Sequence, residues 1–139
     1  MFFIRFKTLT INKLQIMKLR LEGNSIRLRV RKSDLKTFEE TGVVREILTF
    51  PHGAPFHYQL LTDNYVDRIY AEVSPDGITV FVPLSIAHDW MRSDDVSIEH
   101  TLQSGLYILI EKDFPCKDRT EEDKNDTFFE LVSDKIANC

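Results

Sequence analysis

An uninterrupted apolar stretch is followed at once by carboxylates and a thiol. Residues 106–110 contain no charged side chain, and Glu111, Asp113, Cys116 and Asp118 come next. Carboxylate oxygens are the ligands that hard divalent cations prefer, whereas a thiolate suits softer metals. These four residues are therefore candidate metal ligands. No cofactor is expected, and a divalent cation is the one that these residues could hold.

Besides a metal site, the loop can be interpreted as the location of a reactive Cys116 or as a solvated acidic loop. The metal site matches no established pattern. It lacks the glycine and the alternating acids of an EF-hand, and one cysteine without a second cysteine or a near histidine is poor zinc chemistry. A nucleophilic or redox role for Cys116 would need a lowered pKa, which Lys117 and Arg119 favour and the surrounding carboxylates oppose. We favour a solvated acidic loop in which Cys116 packs as a small hydrophobe.

Basic residues alternate with apolar residues near the start of the chain. In a strand, alternate side chains lie on opposite faces, so the alternation predicts one apolar and one cationic face. The cationic face would bind phosphate or another anion, because guanidinium groups form charge-assisted bonds to such groups. The candidate ligand-binding residues are Arg20, Arg27, Arg29 and Arg31.

Carboxylates on other strands would turn this face into a metal-assisted hydrolase site, as in triphosphate-tunnel enzymes. The candidates are Glu72, Glu99 and Glu111. The repeated Glu-x-Glu-x-Lys signature of those enzymes is missing, and residues 111–113 are only a weak match to it. The simpler alternative, which we favour, is cross-strand salt bridging on a solvated face, worth roughly 0.2–1 kcal/mol for each pair.

Hydrophobic periodicity predicts the elements that position these side chains. Residues 17–30 form a hairpin around a Glu-Gly-Asn-Ser turn. Residues 33–41 and 84–92 form two short helices with Ser33 and Ser85 as caps, and Gly42 ends the first helix. Further strands are predicted at residues 43–50, 56–61, 66–73, 78–82, 96–102 and 106–111.

These elements indicate an α+β domain. The sheet is predicted to be mainly antiparallel and curled to a half-barrel, with the two short helices inserted, because hairpin turns join most strands. The strand at residues 106–111 is apolar on both faces and is therefore predicted to be central. No internal repeat is found among the residues.

Length and composition are those of one globular domain. The chain has 139 residues and a net charge of −4, although residues 1–36 hold ten Lys or Arg against two acids. The arginines of this basic part alternate with apolar residues, so we do not expect nucleic acid as a partner. No apolar run is long enough for a membrane span or a signal peptide, which favours the cytoplasm. Two cysteines are too few for a disulfide framework.

Three stretches resemble one known family: MKLRLEGNSIRLRVRKSDL at residues 17–35, TVFVP at 79–83, and LIEKDFPCKDR with the following EEDKND at 109–126. The resemblance is to a family of small bacterial proteins catalogued only as a domain of unknown function, and it covers roughly residues 17–126. It implies no activity, cofactor or partner. It supports a single domain over residues 17–139 that begins at Met17, with residues 1–16 as a non-native or disordered extension. Residues 127–139 depart from the family pattern.

The function predicted from these observations is a non-enzymatic cytoplasmic binding or accessory protein. Its partner would be another protein or an anionic small molecule, without a membrane, and the oligomeric state is left open. The alternative is a metal-assisted hydrolase of a phosphorylated substrate, in which the arginine face holds phosphate and the carboxylates of residues 111–118 hold the metal.

Overall fold

The computed structural model describes residues 17–113 together with residues 128 and 131. The predictions made for residues 1–16, for Cys116 and Asp118, and for the tail lie outside these residues, apart from 128 and 131. Within the described part, eight strands and two helices follow one another in the order β1 (Lys18–Leu21), β2 (Ser25–Val30), α1 (Lys32–Thr41), β3 (Val43–Leu48), β4 (Phe56–Asp63), β5 (Tyr70–Ser74), β6 (Gly77–Pro83), α2 (Leu84–Arg92), β7 (Ser97–Thr101) and β8 (Tyr107–Lys112).

The strands form two separate four-stranded sheets. Sheet A has the order β1-β2-β8-β7 and sheet B the order β3-β4-β6-β5. Each sheet consists of two antiparallel hairpins joined through a parallel central pair, which is β2 with β8 in sheet A and β4 with β6 in sheet B. The α+β class is confirmed. The sheets are mixed rather than purely antiparallel and do not close into a barrel, because hairpin turns determine only local pairs.

The two halves of the described chain have the same topology. The first half runs β1-β2-α1-β3-β4 and the second runs β5-β6-α2-β7-β8, and exchanging the halves converts the strand order of sheet A into that of sheet B and the reverse. Only the apolar pattern is shared, which is why no repeat was found among the residues. The buried pairs at equivalent positions are Met17 and Ile69, Ile26 and Ile78, Leu28 and Val80, Val30 and Val82, and Phe38 and Trp90.

One apolar core joins the two sheets and both helices. α1 leads from sheet A to sheet B and α2 leads back, so that Phe38 and Trp90 are buried in the same core as the strands. The predicted interior position of β8 is confirmed, since β8 lies between β2 and β7 in sheet A. Ile108 and Ile110 are fully buried, whereas Leu109 on the opposite face is only partly buried. No helix in the described part of the chain has the length and apolar character needed to cross a membrane.

The N-caps of both helices differ from the prediction. α1 is capped by Arg31, whose backbone N–H donates to Asp34 at 3.0 Å, so that Ser33 lies inside the helix instead of capping it. α2 spans Leu84–Arg92 as predicted, but its N-cap is Pro83 instead of Ser85 and has no side-chain cap bond. The predicted end of α1 is confirmed, because Gly42 has a left-handed backbone with φ of 78° and closes the last turn.

Candidate anion-binding face

Basic side chains of two neighbouring strands share the outer face of sheet A. In β2, residues 26, 28 and 30 are buried in the core, so Arg27 and Arg29 face outward. The antiparallel register places Arg20 of β1 opposite Arg27, and Lys18 opposite Arg29. The parallel register places Glu111 of β8 opposite Arg29 on the other side. We call these five residues the cationic face.

A single carboxylate oxygen holds both central arginines. Oε1 of Glu111 accepts hydrogen bonds from Nε of Arg27 at 2.6 Å and from Nε of Arg29 at 2.6 Å, and Nη2 of Arg27 is 2.5 Å from the same oxygen. Glu111 is only 6% exposed, although it lies on the outer face. A guanidinium group has five N–H donors, so each arginine keeps donors beyond those that Glu111 accepts.

The remaining cations of the face lie in weak, exposed pairs. Lys18 Nζ is 3.5 Å from Asp113, and Arg20 Nε is 2.9 Å from Glu22, with more than half of each basic side chain exposed. Exposed pairs of this kind contribute about 0–1 kcal/mol, so the two side chains can turn toward a ligand at low cost. They border a depression of about 340 Å³ that is lined by Lys18, Leu19, Arg20, Arg27 and Arg29.

Most of the predicted ligand residues lie together, with one exception. Arg31 does not line the depression; its Nη2 lies 2.9 Å from Oδ1 of Asp34 at the start of α1, because the chain leaves the strand there and the alternation of faces ends. Lys18 was not among the predicted site residues. Its alternation with Leu19 in the same strand was the available signal.

The predicted metal ligands take up other contacts. A cation at Oε1 of Glu111 would have to displace two guanidinium groups. Glu72 lies in sheet B, and Glu99 accepts a hydrogen bond from the Tyr107 hydroxyl, so the predicted carboxylate trio does not assemble. Among residues 17–113, 128 and 131, no three His, Cys, Asp or Glu side chains are grouped as metal ligands would be.

A second polar cluster joins the start of β1 to sheet B. The backbone N–H of Met17 donates to Oε2 of Glu46 at 3.0 Å, and the Tyr58 hydroxyl donates to the Met17 carbonyl at 2.8 Å. Burial raises the pKa of Glu46, and the bond from Met17 offsets this only in part. Burial and the nearby Glu46 carboxylate raise the pKa of Tyr58. The cluster therefore favours the neutral forms of both side chains.

The raised pKa of Glu46 predicts that the stability of the fold depends on pH. A raised folded pKa means that the folded chain binds more protons than the unfolded chain above about pH 4.3, so this contribution to stability falls as the pH rises through the folded value. We expect Glu46→Gln to be at least as stable as the parent protein at pH 7, because an amide oxygen still accepts the Met17 bond. Urea unfolding at pH 4 and pH 7 measures this.

The control for Glu46 is an exposed acid of α1. Glu40→Gln also removes one negative charge, but at an exposed position. It should leave the pH dependence of the free energy of unfolding unchanged. If Glu46→Gln lowers the free energy of unfolding, relative to the parent protein, by more at pH 7 than at pH 4, the expected sign of the pH dependence is contradicted.

The comparisons with known proteins agree with the resemblance seen in the sequence. No curated protein matches the chain. The family of unknown function DUF7009 matches residues 17–130, a range that includes every strand and helix described above and all five residues of the cationic face. The chain therefore belongs to the family of unknown function DUF7009.

Proposed function

We propose that the protein is a non-enzymatic, cytoplasmic binding module that takes anionic groups of its partner on the cationic face. The observation that carries the proposal is the pair of hydrogen bonds from Arg27 and Arg29 to one buried oxygen of Glu111. Two guanidinium groups held by a single carboxylate retain a net positive charge. Their fixed positions lower the entropy cost of binding an anion.

The charges around the depression support an anionic ligand. Four basic side chains share this face with one buried carboxylate, and the two acids that pair with the outer cations are held only by weak, exposed contacts. A phosphate or carboxylate group entering the depression would accept charge-assisted hydrogen bonds from the outward donors of the arginines. Lys18 and Arg20 would then close on it from β1.

The hydrolase alternative needs a different role for Glu111. Metal-assisted hydrolysis at this face would need its carboxylate as a ligand, whereas both arginines already donate to Oε1. Anion binding does not require Glu111 to release the two arginines. Glu111 is therefore a positioning residue that holds the two arginines. The proposed function is binding without turnover of a substrate.

Thermal unfolding with inorganic triphosphate tests the proposal. Ligand at 100 times its dissociation constant stabilises a fold by about 2.7 kcal/mol. We expect a clear rise in Tm at low ionic strength, and a loss of affinity of about tenfold in Lys18→Gln and in Arg20→Gln, because each substitution removes one charge-assisted contact. Both side chains are exposed, so the fold itself should be unaffected.

The matched control is an exposed arginine on the other sheet. Arg45 of β3 donates from its Nε to Gln59 on the neighbouring strand, away from the cationic face, and Arg45→Gln should bind triphosphate as the parent protein does. An equal loss in Arg45→Gln would mean that overall charge, not the cationic face, binds the anion. Stabilisation that requires Mg²⁺, or release of phosphate, would favour the hydrolase alternative.

A further inference from the structure

β1 is an edge strand of sheet A, and every second residue of it directs its backbone groups away from the sheet. The N–H of Glu22 donates to the carbonyl of Ser25 at 3.3 Å, which identifies the hydrogen-bonded phase of the β1–β2 ladder. In an antiparallel ladder this phase recurs at every second residue. The backbone groups of Arg20 and Lys18 therefore bond to β2. Leu19 and Leu21 direct their N–H and C=O groups outward.

These outward groups are open at two of three positions. At Met17, which has the same phase, the N–H and C=O groups are bonded by Glu46 and Tyr58 of sheet B. Among the described residues, no donor or acceptor bonds the outward groups of Leu19 or Leu21. Leu21 is also 58% exposed. Two N–H and two C=O groups in one line are what a sheet edge offers to a further strand.

The cationic depression reaches this open edge. Lys18 and Arg20 extend from β1 to the outer face, and Leu19 lines the depression together with them. A strand added beside β1 would place every second side chain next to these two cations. Its other side chains would lie on the opposite face, beside Leu19 and the exposed Leu21. The edge is thus complementary to a strand with one acidic and one apolar face.

We infer that β1 accepts an extended peptide of alternating acidic and apolar residues as an additional strand of sheet A. This inference rests on the proposed function and deepens it, since it names a peptide as the source of the anionic groups. Backbone hydrogen bonds to Leu19 and Leu21 supply affinity, and the pairing of acids with Lys18 and Arg20 supplies specificity.

Other occupants fit the edge less well. A second copy joined through its own β1 would bring Lys18 and Arg20 close to the same cations of the partner copy, and like charges across a pair of strands are destabilising. A small anion would use the cationic face but would leave the backbone groups of Leu19 and Leu21 open.

The test uses the full chain and the hexapeptide acetyl-Glu-Val-Glu-Val-Glu-Val-amide. Amide hydrogen exchange measured by NMR should slow by at least about tenfold at Leu19 and Leu21 when the peptide binds, since these amides become hydrogen-bonded. Inorganic triphosphate should bind without slowing them. Methylating the peptide nitrogens on one edge should weaken binding by about tenfold, whereas methylating the other edge should have little effect.

Two variants at Leu21 distinguish the contribution of its backbone N–H to peptide binding from that of its side chain. Leu21→Pro removes an outward N–H and no donor to β2, so it should weaken peptide binding by about tenfold and leave triphosphate binding unchanged. Leu21→Ala keeps the N–H and should bind the peptide more tightly than Leu21→Pro. The exchange experiment on the parent protein decides the matter if Leu21→Pro does not fold.

The remaining outcomes overturn the inference in distinguishable ways. Peptide binding without slower exchange at Leu19 and Leu21 would show attraction by charge alone. Binding of triphosphate but not of the peptide would overturn the strand addition and leave the proposed function intact. Binding of neither would overturn both.

Discussion

Replacing Gly77 with alanine is expected to destabilise the fold by about 3 kcal/mol or more, the largest effect among alanine substitutions of the five glycines. Gly77 begins β6 opposite His57 in the parallel pair at the centre of sheet B. A Cβ atom there would lie 1.9 Å from the His57 carbonyl oxygen, and φ of 154° is a backbone conformation that other residues rarely adopt. Chemical unfolding of Gly77→Ala measures the loss.

The control for this substitution is a glycine without a close neighbour. Gly53 also has a positive φ, at 90°, but a Cβ atom built on it meets nothing within 4 Å. Gly53→Ala therefore shows the cost of backbone strain alone. If Gly77→Ala costs no more than Gly53→Ala, the close approach of β4 and β6 at this position is contradicted.

Removing the buried carboxylate of the cationic face is expected to have the second large effect. Glu111→Ala leaves Arg27 and Arg29 side by side without their shared acceptor, and truncating one member of a buried ion pair is costly. Both arginines keep about a quarter of their surface exposed, so we expect a loss of about 2–3 kcal/mol, below the range for fully buried pairs. Urea unfolding at neutral pH measures it.

The same variant should respond more strongly to anions, because removing a negative charge from the face outweighs the loss of the fixed arginine positions. With Glu111 removed, a triphosphate oxygen can take its place between the guanidinium groups of Arg27 and Arg29, so the rise in Tm on adding triphosphate should exceed that of the parent protein. A metal-assisted hydrolase would behave in the opposite way, because loss of a metal ligand would abolish any stabilisation that depends on Mg²⁺.

Glu99 provides the matched control. It is exposed, lies in β7 beside β8, and bonds the hydroxyl of Tyr107 instead of an arginine. Glu99→Ala should cost well under 1 kcal/mol and should leave the response to triphosphate unchanged. Equal losses in Glu111→Ala and Glu99→Ala would contradict the role assigned to the buried carboxylate.

Local patterns in the sequence were enough for the hairpins, for the end of α1 and for the central position of β8. Alternation of apolar and basic residues in 18–29 depends only on the chain itself, because successive strand residues face opposite sides. The left-handed conformation at Gly42 likewise has a local cause. The cationic face was therefore predictable as a face, with Arg20, Arg27 and Arg29 on it.

The tertiary structure alone decided which strands are neighbours, because pairing between distant segments leaves no mark on the local alternation. The parallel pairing of β2 with β8 places Glu111 beside Arg29, and this turned a predicted metal ligand into the acceptor of two guanidinium groups. The start of α1 removed Arg31 from the face. The amino-acid sequence by itself determined that a cationic strand face exists, whereas the contact between distant strands determined that its arginines are held in place by a buried carboxylate.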